Sequence, residues 1–178
     1  MASPVAHSLA GAIIHFASRR SGDGNYQDFW WLILAANLAD FDLIPSLLMG
    51  DHGLFHRTFS HSIPAAVMFA LLVYAGFRWS RHEHAVRLSL LMFAAYASQL
   101  LVDWLSFDPG PVAGIPLLYP FSGEHYMANP TVFLNIERNE LFSGAVIIHN
   151  IKAVLLEFVI LGPPAAALWL WRKRTTRS

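Results

Sequence analysis

Six side chains of metal-ligating type stand at or near the ends of apolar stretches: His7, Asp40, Asp42, His56, His61 and Asp103. Three imidazoles with three carboxylates form a borderline-plus-hard donor set suited to Zn²⁺, with Mn²⁺ or Fe²⁺ as alternatives, one or two ions per chain. A divalent ion held there polarises a phosphoryl or acyl oxygen and brings the pKa of a bound water toward 7. Asp42 or Asp103 is placed to accept the proton, and Arg57, between the two histidines of His56-Arg57-Thr58-Phe59-Ser60-His61, is placed to clamp an anionic oxygen.

Such a cluster needs elements to bring it together. Of 178 residues, 55% are hydrophobic and 13% charged, and mean hydropathy is +0.43. An average soluble domain carries about 25% charged residues, so the covering expected of one is half missing. The chain has no cysteine, and its 12 basic residues are balanced by 12 acidic ones. That excludes a disulfide scaffold and a nucleic-acid binder relying on positive charge. The remaining reading is a single all-α integral-membrane domain over 1–178, polytopic, with about five helices.

Segments without Asp, Glu, Lys or Arg locate the helices at 1–18, 29–39, 58–77, 88–102 and 158–171. Spanning the hydrocarbon takes roughly 20 mostly apolar residues. Residues 58–77 meet that length, as do 88–107 with Asp103 near the end, and 152–171 with Glu157 inside and an interruption at Gly162-Pro163-Pro164. Residues 27–49 form a further apolar segment carrying Asp40 and Asp42, and the first eighteen residues predict a short or tilted helix, with one or two of the five short or interfacial. Arg19 and Arg20 follow that first stretch instead of preceding it, which fits a signal peptide badly.

Orientation follows from charge. Arg19, Arg20, Arg78, Arg81, Arg87, Arg172, Lys173, Arg174 and Arg177 fall on one side if the helices alternate, which is nine of the twelve basic residues. The positive-inside rule makes that side cytoplasmic. The tail 172–178 is then inside, and the Pro- and Gly-rich connection at about 108–140 is outside. At 1.5 Å per residue, His7 lies ~18 Å above Arg19, Asp40 ~18 Å above Asp28, His61 ~26 Å above Arg78 and Asp103 ~24 Å above Arg87. The ligand-type residues of four helices thus converge in the outer half of the bilayer, where unpaired carboxylates are costly.

Plainer roles suit several of these residues taken singly. A lone His7 fits an interfacial or hydrogen-bonded imidazole, and Asp40 and Asp42 fit helix-ending acids before Pro45. Two residues apart is roughly 200° on an ideal helix. Both aspartates therefore face inward only if the helix unwinds, or one of them orients a ligand histidine. Ser60 or Ser62 suits an N-cap with Pro64 in the first turn. His15 reads as packing, His82 and His84 as solvated, and Glu157 as paired with a polar neighbour; the spacing of His52, His125 and His149 assigns them nothing.

The chain resembles the YdjM-like predicted membrane-bound metal-dependent hydrolases of bacterial and archaeal inner membranes. The resemblance is carried by His7-Ser8-Leu9-Ala10-Gly11, Ala39-Asp40-Phe41-Asp42, His56-Arg57-Thr58-Phe59-Ser60-His61-Ser62, Ser98-Gln99-Leu100-Leu101-Val102-Asp103 and Gly114-Ile115-Pro116-Leu117-Leu118-Tyr119-Pro120-Phe121. It implies a helical membrane hydrolase using divalent metal, with His7, Asp40, Asp42, His56, His61 and Asp103 at the matching positions. Gln99 departs from the pattern, since the family often has a histidine four residues before the last aspartate; that departure bears on a second ion.

The expected function is hydrolysis of a phosphoester in a lipid or lipid-linked substrate at the outer face. The competing class is a divalent-metal or proton transporter using the same cluster. Transport sites tend to lie near the midplane on repeated, broken helices, and no repeat is visible here. A metal-stapled structural protein is a third class. Proteases fit less well, because His82-Glu83-His84 lacks the i,i+4 spacing of His-Glu-x-x-His.

Overall fold

Ser3 begins the first helix by turning its hydroxyl onto the amides of Val5 (3.1 Å) and Ala6 (3.4 Å), with Pro4 in the first turn, where its missing N–H costs little. In the computed structural model, which describes residues 1–19, 27–44, 58–110, 112–138 and 140–175, the result is α1 (Pro4–Ser18), about 22 Å long. It is the short first helix that the sequence predicts. The regular elements among the described residues are helices, with α2 (Gln27–Ala36), α3 (Ile63–Trp79), α4 (Ala85–Trp104) and α5 (Gly144–Thr175) completing a set of five and no strand among them.

The second segment differs from the expected helix over 27–49. It stops at Ala36 because Asn37 turns its side-chain amide back onto Ile33 O (2.8 Å) and across to Ser8 Oγ (3.2 Å). A 3₁₀ turn, Leu38–Asp42, follows, and 45–50 lie outside the described residues. The expected span at 58–77 is likewise divided. A 3₁₀ turn, Phe59–His61, precedes α3, which is capped by Ser62 Oγ on Ala65 N (3.2 Å) with Pro64 in its first turn.

By length and composition α4 and α5 can cross a membrane, and α3 is a shorter apolar helix. Gly162-Pro163-Pro164 does not interrupt α5, whose 32 residues extend about 48 Å; both prolines sit on its exposed side. Polarity is arranged for a lipid surround. His7, His61, Gln99 and Glu157 are fully buried, whereas Leu71, Leu72, Leu90 and Val159 are each more than 60% exposed. Trp30, Trp79 and Trp171 are exposed at one end of the bundle, as interfacial tryptophans are.

That end also gathers the basic residues. Arg87 donates to Ser18 O (2.9 Å), Arg172 donates to Phe16 O (2.9 Å) and Ala17 O (2.8 Å), and Phe29 of α2 packs on His15 and Phe16. The start of α1, both 3₁₀ turns and the end of α4 lie at the opposite end. The expected alternation of helices is thereby met among the described residues. The connection after α4 folds back over this second end. Phe107 and Phe133 pair by backbone, as do Ile115 and Tyr126, and Asp108 accepts from the amides of Gly110 and Gly114. Gly114 has φ +97°, and a Cβ there would meet Tyr126 O at 2.4 Å, so only glycine fits. Leu117 O takes the amide of Ile63 at the start of α3, and Ile115 joins Ala39, Ala65, Ala66, Tyr96 and Leu100 in the core.

Candidate metal centre

Four elements deliver the cluster. α1 carries His7 one turn past its N-cap, the 3₁₀ turn after α2 carries Asp40 and Asp42, the 3₁₀ turn before α3 carries His61, and the last turn of α4 carries Asp103. Gly11 makes the first approach possible. A Cβ at Gly11 would stand 3.0 Å from both Ala36 Cβ and Leu32 O, so its lack lets α1 close on α2 and brings His7 beside Asp40.

His7 Nε2 lies 3.6 Å from Asp40 Oδ2 and 3.6 Å from Asp103 Oδ1. His61 Nε2 lies 3.3 Å from Asp40 Oδ1 and 3.7 Å from Asp103 Oδ2. Each of these two carboxylates therefore offers one oxygen to each histidine. His7 is fully buried, and neither of its ring nitrogens has a hydrogen-bond partner; Asp103 Oδ2 has none either. Leaving such groups unmatched costs about 1–3 kcal/mol each. Two ligand atoms at about 2.1 Å from a tetrahedral ion stand roughly 3.4 Å from one another, a separation that the four distances bracket. His7, Asp40 and Asp103 can hold a metal ion, each supplying one atom with all three within 4.8 Å of one another.

Asp42 stands on the other side of His61. Its Oδ2 is 3.3 Å from His61 Nδ1 and accepts from Ser60 Oγ (2.5 Å). This is the orienting position of a carboxylate that holds a ligand imidazole by its second nitrogen, one of the two roles the sequence allows it. The 3₁₀ turn supplies the unwinding that lets both aspartates reach His61. Tyr96 OH fixes that histidine's turn by donating to Ser60 O (2.6 Å). Gln99, fully buried, accepts the amide of Ala39 through Oε1 (3.0 Å) and so anchors the residue before Asp40.

His56 and Arg57 lie outside the described residues, as does His52. The other histidines stand apart from the cluster. His15 packs among aromatic rings, His82 and His84 are exposed at the basic end, His125 is half-buried with Nδ1 3.1 Å from Gly123 O, and His149 Nε2 donates to Asn135 O (2.9 Å). Sequence reasoning missed the backbone of residues 2 and 3. Ala2 N donates to Asp103 Oδ1 (3.1 Å), and Ser3 N donates to Glu157 Oε1 (2.7 Å), while Ser3 Oγ bonds Glu157 Oε2. The buried Glu157 was the one available signal; its polar neighbour is this N-cap.

Fold and site together define a polytopic helical membrane protein with a buried His/Asp cluster fit to hold a metal ion. The chain belongs to the YdjM inner membrane protein family, whose model matches residues 1–175. That match bears out the resemblance carried by the motifs and places the protein with the inner membrane. Neither a curated protein nor a solved structure matches.

Proposed function

We propose that this protein is a membrane-embedded metal-dependent hydrolase that cleaves a phosphoester of a lipid or lipid-linked substrate at the extracytoplasmic face. The observation that carries the reading is His7, fully buried, its imidazole without a hydrogen-bond partner and its Nε2 3.6 Å from oxygens of two carboxylates. Zn²⁺ suits the set best. His7, Asp40, His61 and Asp103 would hold it, and His56 is the further ligand that the sequence suggests. Such an ion supplies Lewis acidity toward a phosphoryl oxygen and a water of lowered pKa.

The chain's own residues divide the remaining work. Asp42 and Ser60 hold His61 with Nε2 toward Asp40. Asp103 receives Ala2 N–H at Oδ1 and keeps Oδ2 free of hydrogen-bond donors, so Oδ2 is the oxygen at which the proton of the attacking water is accepted. Arg57 binds an anionic oxygen of the substrate. Water adds to phosphorus as the ester P–O bond breaks, and the departing alkoxide takes the proton that Asp103 accepted from the water. The position of the cluster at the end opposite the basic residues supports an extracytoplasmic opening and favours hydrolysis at one face over a transit site near the midplane.

The test is an activity screen of purified protein on phosphatase, phospholipase and esterase substrates with and without chelator. Chelator-sensitive phosphoester cleavage that Zn²⁺ restores is the expected result. Metal-dependent ion uptake into vesicles without any hydrolysis would favour the transporter instead.

A further inference from the structure

We infer that Glu157 and Arg172 of α5 form a two-point clamp on α1 that sets His7 and Asp103 in the cluster, an inference that rests on the metal-centre reading. Both are positioning residues. Ser3 and Ala17 mark the two ends of α1, 14 residues or about 21 Å apart; Glu157 and Arg172 are 15 residues or about 22 Å apart on α5. The two helices run parallel with these ends matched. At the upper end the fully buried Glu157 carboxylate takes both Ser3 N–H and Ser3 Oγ, beside the first-turn amides of Val5 and Ala6 that the Ser3 cap satisfies. At the lower end the Arg172 guanidinium donates to Phe16 O and Ala17 O, among the last carbonyls. Each charge has the sign the helix dipole favours at that end.

Two contacts of this kind remove both sliding and rotation of α1 along α5. Sliding matters because His7 is one turn beyond Ser3, its amide bonded to Ser3 O (3.3 Å). Rotation matters because His7 must face Asp40 and Asp103 at once. The same turn also reaches Asp103 directly, since Ala2, next to Ser3, donates its N–H to Asp103 Oδ1. Glu157 therefore governs two members of the cluster while standing outside it.

The experiment titrates Co²⁺ into metal-stripped wild type, Glu157→Ala, Glu157→Gln and Arg172→Ala, with His7→Ala as reference. Glu157→Ala is expected to weaken Co²⁺ binding by about tenfold or more, the range of lost orienting groups, and to move the visible band toward that of His7→Ala. Glu157→Gln keeps an oxygen for Ser3 N–H and is expected to stay within about threefold of wild type. A folded Glu157→Ala with wild-type Co²⁺ affinity and band overturns the clamp, even if its Tm falls. If Glu157→Ala does not fold, Arg172→Ala decides by the same readouts. Failure of the wild type to bind Co²⁺ sinks the metal reading instead. The clamp is then judged by the disulfide between Ala10→Cys and Val102→Cys, two positions packed in one core cluster. That bond should form more slowly with Glu157→Ala than with Glu157 intact; equal rates overturn the clamp.

Discussion

Gly11→Ala probes the closeness of α1 and α2 on which the cluster depends. The added methyl would meet Ala36 Cβ and Leu32 O at 3.0 Å, against an ordinary contact of about 3.5–4.0 Å, so the helices must part by about half an ångström. Overpacking of this size costs about 1–3 kcal/mol. Replacing glycine inside a helix returns about 1 kcal/mol, leaving a net loss of about 1 kcal/mol and a Tm lower by about 2–4 °C at this chain length. His7 lies one turn before Gly11 on the same face of α1, and Asp40 follows α2. The same parting therefore exceeds the tolerance of about 0.2 Å in metal–ligand distances, and Co²⁺ affinity should fall with Tm. Gly76→Ala is the control, because nothing stands within 4 Å of a Cβ there; it should raise Tm and leave Co²⁺ binding alone. The assay is thermal unfolding and Co²⁺ titration of both variants in one detergent. A rise in Tm for Gly11→Ala matching that of Gly76→Ala, with Co²⁺ binding intact, would refute the close-approach argument.

Asp42→Asn should weaken metal binding by about 10–100-fold without abolishing it, as expected of an orienting carboxylate; complete loss in a metal titration would make Asp42 a direct ligand. Arg57→Ala should keep its metal and lose most activity on anionic substrates, whereas loss of metal as well would make Arg57 a counter-ion to Asp40 or Asp42. Because the chain has no cysteine, single cysteines report sidedness without background. Gly123→Cys should react with an impermeant maleimide from outside and Ser80→Cys only after the membrane is opened; the reverse pattern inverts the topology.

The convergence of His7, Asp40, His61 and Asp103 was legible because helix rise and the distribution of arginines are local arithmetic. The two roles open to Asp42 were also legible, but choosing between them needs the side of the His61 ring on which it sits, and that is tertiary. The end of α2 at Ala36 was not legible. It depends on Asn37 meeting Ser8, and the turn beyond it on Gln99 taking the amide of Ala39, 60 residues away in sequence. The pair of prolines in α5 signalled a break that does not occur. Its helix instead begins at Gly144, ahead of the expected span, where Asn150 Nδ2 donates to Glu137 O (2.9 Å) and His149 bonds Asn135. The grip of Ala2 and Ser3 on Asp103 and Glu157 uses backbone amides, which no residue pattern advertises.

Metal content tests the central claim most directly. Elemental analysis of purified wild type should give one or two transition-metal ions per chain, Zn²⁺ above all, with the amount falling sharply in His7→Ala and Asp103→Asn. Equal, substoichiometric metal in all three proteins would contradict the metal centre.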